Sequence, residues 1–229
     1  MPTALVLSAG GMFAAWEIGV WKALKPHFAP DLIVGASAGA LNGWAIAGGA
    51  TPAALESEWL DPLTAHLMRH RVLHKKARHL FETYRPQVPF GLTVVDILRF
   101  RPKLVRSAEI EWQHLAATCS IPLVFPPMLI DGRRYVDGGF LGALPLWAAQ
   151  EMGATRAIAL NCLNTRSFRL LHRSMRWRIP RATSLDVVRV EPSVPLGSML
   201  DTAVWSAAKI ERWIALGEQD GERALPSIA

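Results

Sequence analysis

Cysteine is nearly absent: Cys119 and Cys162 are the only two in 229 residues. Their separation matches no short metal-ligand spacing, so neither a zinc site nor a disulfide framework is expected, and both read as reduced core thiols. Acidic residues are outnumbered, 19 Asp and Glu against 25 Lys and Arg, which leaves a net charge of +6 to be located. A leader is also missing from the expectation, since "ALVLSAGGMFAAW" has the apolarity of a secretory segment but no Lys or Arg precedes it. No uninterrupted apolar run reads as a bilayer span. Residues 31–50, "DLIVGASAGALNGWAIAGGA", are long enough, yet they contain Asp31, Asn42 and repeated glycines, and lack flanking aromatic or positive clusters. No linker, internal repeat or low-complexity segment divides the chain. With 51% hydrophobic and 19% charged residues, the expectation is a globular, cytoplasmic protein forming one domain over 1–229.

What is present alternates between strand and helix patterns. "TALVLS" (3–8), "DLIVGA" (31–36), "GLTVVDIL", "PKLVRS", "PPMLI", "RRYV", "AIALN" and "LDVVRVE" read as strands. Helices are expected after each of the first two strands, from Pro52 with Thr51 as its cap, and over 108–118, 144–152 and 199–216. Strand–turn–helix repeats of this kind predict an α/β fold whose mostly parallel sheet is covered on both faces.

That architecture gives meaning to Gly35-Ala36-Ser37-Ala38-Gly39, between a predicted strand and a predicted helix. A serine forced into a tight turn there needs neighbours without side chains, because strand and helix approach closely. Its hydroxyl then stands above the sheet, and N–H groups at the helix start can stabilise an oxyanion. The competing reading of the same motif is a small-residue crossing of helix and strand. Two nucleotide readings fail: Ala40-Leu41 follows Gly39 where a phosphate loop needs Lys-Ser or Lys-Thr, and "SAGGMFA" (8–14) lacks the dinucleotide glycine spacing.

A nucleophile requires a base. His172 lies in an arginine-rich stretch, and His114 sits on a predicted helix in what reads as a surface position, so the histidines fail on placement. Asp131-Gly132 is explained as a hairpin turn. Asp137, ending the strand "RRYV" and followed by Gly138-Gly139, has no such explanation, and its carboxylate could serve a neighbouring hydroxyl without a histidine.

Three segments in order, "LVLSAGGMFAAWEIGVWKAL", "DLIVGASAGALNG" and "IPLVFPPMLIDGRRYVDGGFLGALPLWAAQEMGA", resemble the patatin-like phospholipase family from about residue 3 to about 163. The resemblance implies a three-layer α/β/α sandwich that hydrolyses lipid acyl esters with a Ser-Asp dyad, Ser37 as nucleophile and Asp137 as base, and no cofactor. It implies an elbow framed by Gly35 and Gly39, an Asp-Gly-Gly motif with Gly138 and Gly139, and an oxyanion hole from Gly10 and Gly11. The loop departs from the family at Phe13, where a basic residue is usual, and at Ala14, where a glycine is. That departure motivates an alternative, a degenerate domain that binds a membrane or a protein partner.

Positive charge gathers in two stretches. Residues 66–79, "HLMRHRVLHKKARH", carry five Arg or Lys, four His and no acid, and residues 166–178, "RSFRLLHRSMRWR", interleave five arginines with apolar residues. The i, i+4 spacing of His66, His70 and His74 invites a metal, but the surrounding cations and the missing carboxylates oppose one. No nucleic-acid module is recognisable. Either a solvated basic face or peripheral contact with an anionic membrane surface fits the pattern. Trp16, Trp21, Trp44, Trp205 and Trp213 read as core, with indole tips available to line an acyl pocket.

Overall fold

The computed structural model describes residues 1–163 and 178–228, so most of the 166–178 stretch, together with His172, lies outside the described residues. Strands β1 (Thr3–Leu7), β2 (Leu32–Ala36), β3 (Phe90–Asp96), β4 (Arg101–Arg106), β5 (Met128–Ile130), β6 (Arg133–Asp137), β7 (Arg156–Leu160) and β8 (Asp186–Val190) join one sheet. Its order is β5-β6-β3-β2-β1-β7-β8, with β4 also paired to β3. The run β3-β2-β1-β7-β8 is parallel, while β4, β5 and β6 are antiparallel additions at one side.

The pleat sorts the core. Along β1, Leu5 and Leu7 face a thick layer built from α1 (Ala15–Leu24), α2 (Ala38–Ala47), α3 (Pro52–Leu60), α4 (His70–Thr83), α5 (Trp112–Ala117) and α7 (Ala207–Ile228). Ala4 and Val6 face the opposite side, where α6 (Leu146–Glu151) supplies Trp147, Ala148 and Ala149. Period-two alternation thus produces the expected three layers, one much thinner than the other. Among the described residues no helix is long and apolar enough to cross a membrane.

Local expectations met the structure unevenly. The Thr51 hydroxyl accepts from the Ala54 N–H at 3.1 Å and Pro52 opens α3. Asp131 and Gly132 both take positive φ, as a two-residue hairpin turn requires. The helix expected over 199–216 instead begins at Ala207 and runs to Ile228, after a short 3-10 turn at Met199–Thr202. It continues past Gly217 because that glycine is a contact surface. A Cβ on Gly217 would lie 2.0 Å from the Trp16 carbonyl oxygen, and one on Gly19 would lie 1.9 Å from that of Ile214. Helices α1 and α7 therefore meet backbone to backbone, and the Trp16 indole N–H donates to Asp220 at 2.8 Å beside the seam.

Beneath α1 lies a buried acid. Glu17 is fully enclosed, accepts from the Ser8 hydroxyl at 3.2 Å and from the Asn42 amide at 3.0 Å, and so ties α1 to the end of β1 and to α2. Burial pushes its carboxyl from 4.5 up to about 8, with the bonds from Asn42 and Ser8 offsetting only part of that rise.

Two outcomes follow from these contacts. Gly19→Val drives a side chain into a carbonyl that cannot yield, and is expected to cost about 2–3 kcal/mol, lowering Tm by roughly 5–10 °C in a melting experiment. For Glu17 the folded pKa lies above the unfolded one, so its contribution is complete below about 4.5 and lost as pH rises through about 8. Glu17→Gln reproduces the neutral form. Its unfolding free energy relative to the parent is expected to improve between about pH 5.5 and about pH 8.5, by an amount on the order of a few kcal/mol, read as a rising Tm difference. A difference that does not change with pH would mean that Glu17 does not titrate in this range.

Candidate active site

Ser37 occupies the one-residue turn between β2 and α2 with φ 52° and ψ −130°. Left-handed backbone is unfavourable for a serine, costing on the order of 1–2 kcal/mol, and persists only where the surroundings impose it. Here the glycines do so. A Cβ on Gly35 would sit 2.5 Å from the Cα of Ala40, and one on Gly39 would sit 2.3 Å from the Ser8 carbonyl oxygen. The Ser37 N–H donates to the Thr118 hydroxyl at 2.9 Å, which itself donates to the Thr93 carbonyl at 2.8 Å, latching the turn to β3. Although Ser37 stands at the N-terminus of α2, its hydroxyl caps nothing. It donates instead to Oδ2 of Asp137 at 2.6 Å.

Asp137 ends β6 and is fixed from its own loop. Its Oδ1 accepts from the Gly139 N–H at 2.7 Å, while its backbone N–H donates to the Ser120 carbonyl at 2.9 Å. Gly138 and Gly139 allow this approach: a Cβ on Gly138 would lie 2.0 Å from the Thr93 carbonyl oxygen, and one on Gly139 would lie 2.3 Å from Cβ of Ala9. Burial pushes the Asp137 carboxyl up to about 7, while the bonds from Ser37 and from the N–H groups of Gly139 and Phe140 pull the other way.

Gly10 and Gly11 lead into a 3-10 turn at Gly11–Ala14, directly before α1. Gly11 takes φ 56°, and a Cβ there would meet the Thr202 carbonyl oxygen at 2.2 Å. Among the described residues neither the Gly10 nor the Gly11 N–H has a hydrogen-bond partner, leaving both as available donors. The departures at Phe13 and Ala14 are core substitutions. Phe13 is buried edge-on to Trp213 with ring centroids 5.1 Å apart, so an apolar side chain suits that position and the two glycines are untouched.

Ser37 lies where two cavities meet. An outer cleft of about 870 Å³, open to solvent, holds Gly10, Gly11, Ser37, Asp137 and Gly139 in its wall. An inner, almost wholly apolar pocket of about 770 Å³, its mouth included, runs along Ala38, Leu41 and Ala45 of α2 and is walled by Leu55, Trp59, Leu73 and Phe125. Of the five tryptophans expected as core, Trp16, Trp21, Trp44 and Trp213 are buried and Trp205 is half-buried, but none lines the pocket. Trp59 does, its indole N–H held by Asn42 at 2.9 Å.

Other expectations need correction. His114 is not a surface residue: it is buried in α5, and its Nδ1 accepts the Glu111 N–H at 3.1 Å, closing the first turn of the helix. The 66–79 stretch is not one helical array of histidines, because His66 sits in a preceding 3-10 turn while α4 starts at His70. Nor is it a uniformly solvated face. Lys76 turns inward to pair with Glu58, His79 bonds the other Glu58 oxygen at 2.9 Å, and the Arg78 guanidinium lies 4.5 Å from the Trp112 ring centre. Among the described residues no three His, Cys, Asp or Glu side chains are grouped so as to hold a metal. Both cysteines are free and buried, and burial pushes their thiols up. Thr118 and Thr93, which position the turn, carried no signal in the sequence, and Asn42, which holds Trp59 in the pocket wall, stood out only as a polar residue in an apolar run. Glu17 did, as an acid among apolar residues on α1.

The geometry invites comparison with known proteins. The protein-family model for patatin-like phospholipase matches residues 5–99 and 98–149. Lysophospholipase NTE1 of Mycosarcoma maydis is 25% identical over 181 residues, covering 70% of this chain and 10% of that protein. Patatin-like phospholipase domain-containing protein 6 of Homo sapiens is 25% identical over 180 residues, covering 69% of this chain and 13% of that protein. The chain thus spans about a tenth of the length of the curated relatives it matches. Among solved structures, VipD from Legionella pneumophila superposes with a TM-score of 0.57 at 10% identity, covering 99% of this chain and 67% of that one, a likeness of fold. The family match takes in both the strand–Ser37–helix turn and the Asp137 loop, and extends over well more than half of the residues: the chain belongs to the patatin-like phospholipase family.

Proposed function

We propose that this chain is a serine acyl hydrolase of lipid esters, acting as one domain, in which Ser37 is the nucleophile and Asp137 the general base. The observation that carries the reading is the 2.6 Å bond from the Ser37 hydroxyl to Asp137, made at the junction of a solvent-open cleft and an apolar pocket. An acyl chain would fill the pocket, and the alcohol part of the ester would occupy the cleft.

In this reading the ionised Asp137 takes the Ser37 proton as Oγ attacks the ester carbonyl carbon. Negative charge develops on the former carbonyl oxygen, where the free N–H groups of Gly10 and Gly11 and the N-terminus of α2 can receive it. Collapse of the tetrahedral intermediate breaks the bond to the alkoxide, which takes the proton back from Asp137. A water then attacks the acyl-serine with Asp137 again as base, releasing the carboxylic acid and restoring the serine. A carboxyl held at about 7 is a better base than an ordinary aspartate, since its proton affinity lies closer to that of the group it must deprotonate. Relatives are named lysophospholipases, and lipid esters are the substrate class proposed here on the strength of that kinship and the apolar pocket. Contact with anionic lipid surfaces is proposed through the exposed Arg69, Arg71 and Lys75, the part of the basic run left free of the pairings above.

Ser37→Ala and Asp137→Asn are each expected to reduce hydrolysis of a short p-nitrophenyl ester by about three orders of magnitude or more with Tm little changed. Because the two act as a unit, the double variant should be scarcely slower than either single one. Full activity in Asp137→Asn would remove the carboxylate from the mechanism. The active form is the ionised one, so kcat/KM should be low in acid, rise through a midpoint at about 7, and level off above it. A profile flat across that midpoint would show that some other group is the base.

A further inference from the structure

Among the described residues, the wall of the apolar pocket beside Ser37 has two charged side chains, Glu58 and Lys76. They are paired to each other. Lys76 and Leu67 also line a second cavity, together with Lys75 and His79, and Ser37 has no part in that one. Lys76, held from the pocket side by Glu58, therefore stands on the partition between the pocket that reaches Ser37 and a separate space beyond. It is held firmly. The Lys76 ammonium donates to the Glu58 carboxylate and also to its backbone carbonyl at 3.0 Å, the Thr64 hydroxyl donates to that same carbonyl at 2.9 Å, and His79 bonds the remaining carboxylate oxygen at 2.9 Å. Burial alone would push the Glu58 carboxyl up, but the bonds from Lys76 and His79 more than reverse this, so the group stays ionised.

We propose that the Glu58–Lys76 pair fixes the length of acyl chain that the pocket accepts. The inference rests on the reading of this pocket as the acyl site. Each methylene moved from water into an apolar wall is worth about a four-fold gain in kcat/KM. Forcing a chain end past the partition requires separating a partly buried ion pair, a loss of about two orders of magnitude that one or two extra methylenes cannot offset. A wall of leucine or methionine would yield by changing rotamer, whereas a four-fold hydrogen-bonded pair does not. Activity should therefore climb with chain length and then break off, and removing the pair should join the two cavities and admit longer chains.

The test is the kcat/KM profile over saturated p-nitrophenyl esters from about four to about fourteen carbons, each kept below its critical micelle concentration. The parent, Lys76→Met and the doubly neutral Glu58→Gln/Lys76→Met are compared, every profile being scaled to that protein's own four-carbon rate. In the parent we expect a rise of about four-fold per methylene followed by a fall of about five-fold or more over two carbons. In the variants the break should move to chains longer by two carbons or more. A break at the same length in a variant shown by melting to be folded would overturn the proposal. So would a parent profile with no break, a result that decides the matter even if neither variant folds. Turnover of no ester by the parent, or turnover unaffected by Ser37→Ala, would overturn the hydrolase reading and this inference with it.

Discussion

The site depends on the contact between the start of α2 and the end of β1, where Gly39 lies against the Ser8 carbonyl with no room for a side chain. Because helix and strand touch there, the chain between β2 and α2 must reverse within one residue, and that residue is driven to positive φ. Its side chain then projects away from the helix it would otherwise cap, and meets the carboxylate at the end of β6. Equivalent close approaches at Gly35 and Gly138 repeat the principle on either side. The Ser37–Asp137 pair is thus positioned by backbone packing, and its side chains follow.

Sequence made the parallel part of the sheet legible because its strands are buried on both faces and stand out as short apolar runs. The Ser37 turn and the Asp137 loop were legible for a related reason: glycine clusters at strand ends mark places where backbone approaches backbone. What could not be read was which polar residues support them. Thr118 latches Ser37 across 81 positions and Asn42 bonds Glu17 across 25, and nothing in the spacing of either encodes a partner so distant. His114 was misplaced on similar grounds, since a histidine within one short helix reads alike whether its ring closes a buried first turn or faces water. The charge of 66–79 misled because composition counts cations without showing that several are already engaged.

Two buried carboxyls share this core and are shifted upward for the same reason, yet they are suited to different ends. Glu17 is enclosed by the hydroxyl of Ser8 and the amide of Asn42, away from both cavities, and its neutral form completes a structural link. Asp137 lies in the wall of the open cleft and has one oxygen directed at a hydroxyl. Burial sets the proton affinity of each, and access to solvent decides which can exchange that proton with a reacting group. Environment, more than residue type, separates the two roles.

The glycine seam between α1 and α7 has a temporal side. Trp16 and Asp220 are 204 positions apart, so the groove on α1 is synthesised well before the helix that covers it. At about 5–20 residues per second, α1 leaves the ribosome about 10–40 s before the helix that shields it. During that interval the parallel strands, too, lack the partners supplied by later segments. Through that interval the groove on α1 stands open to any other apolar surface, and the sealing of one helix pair closes it.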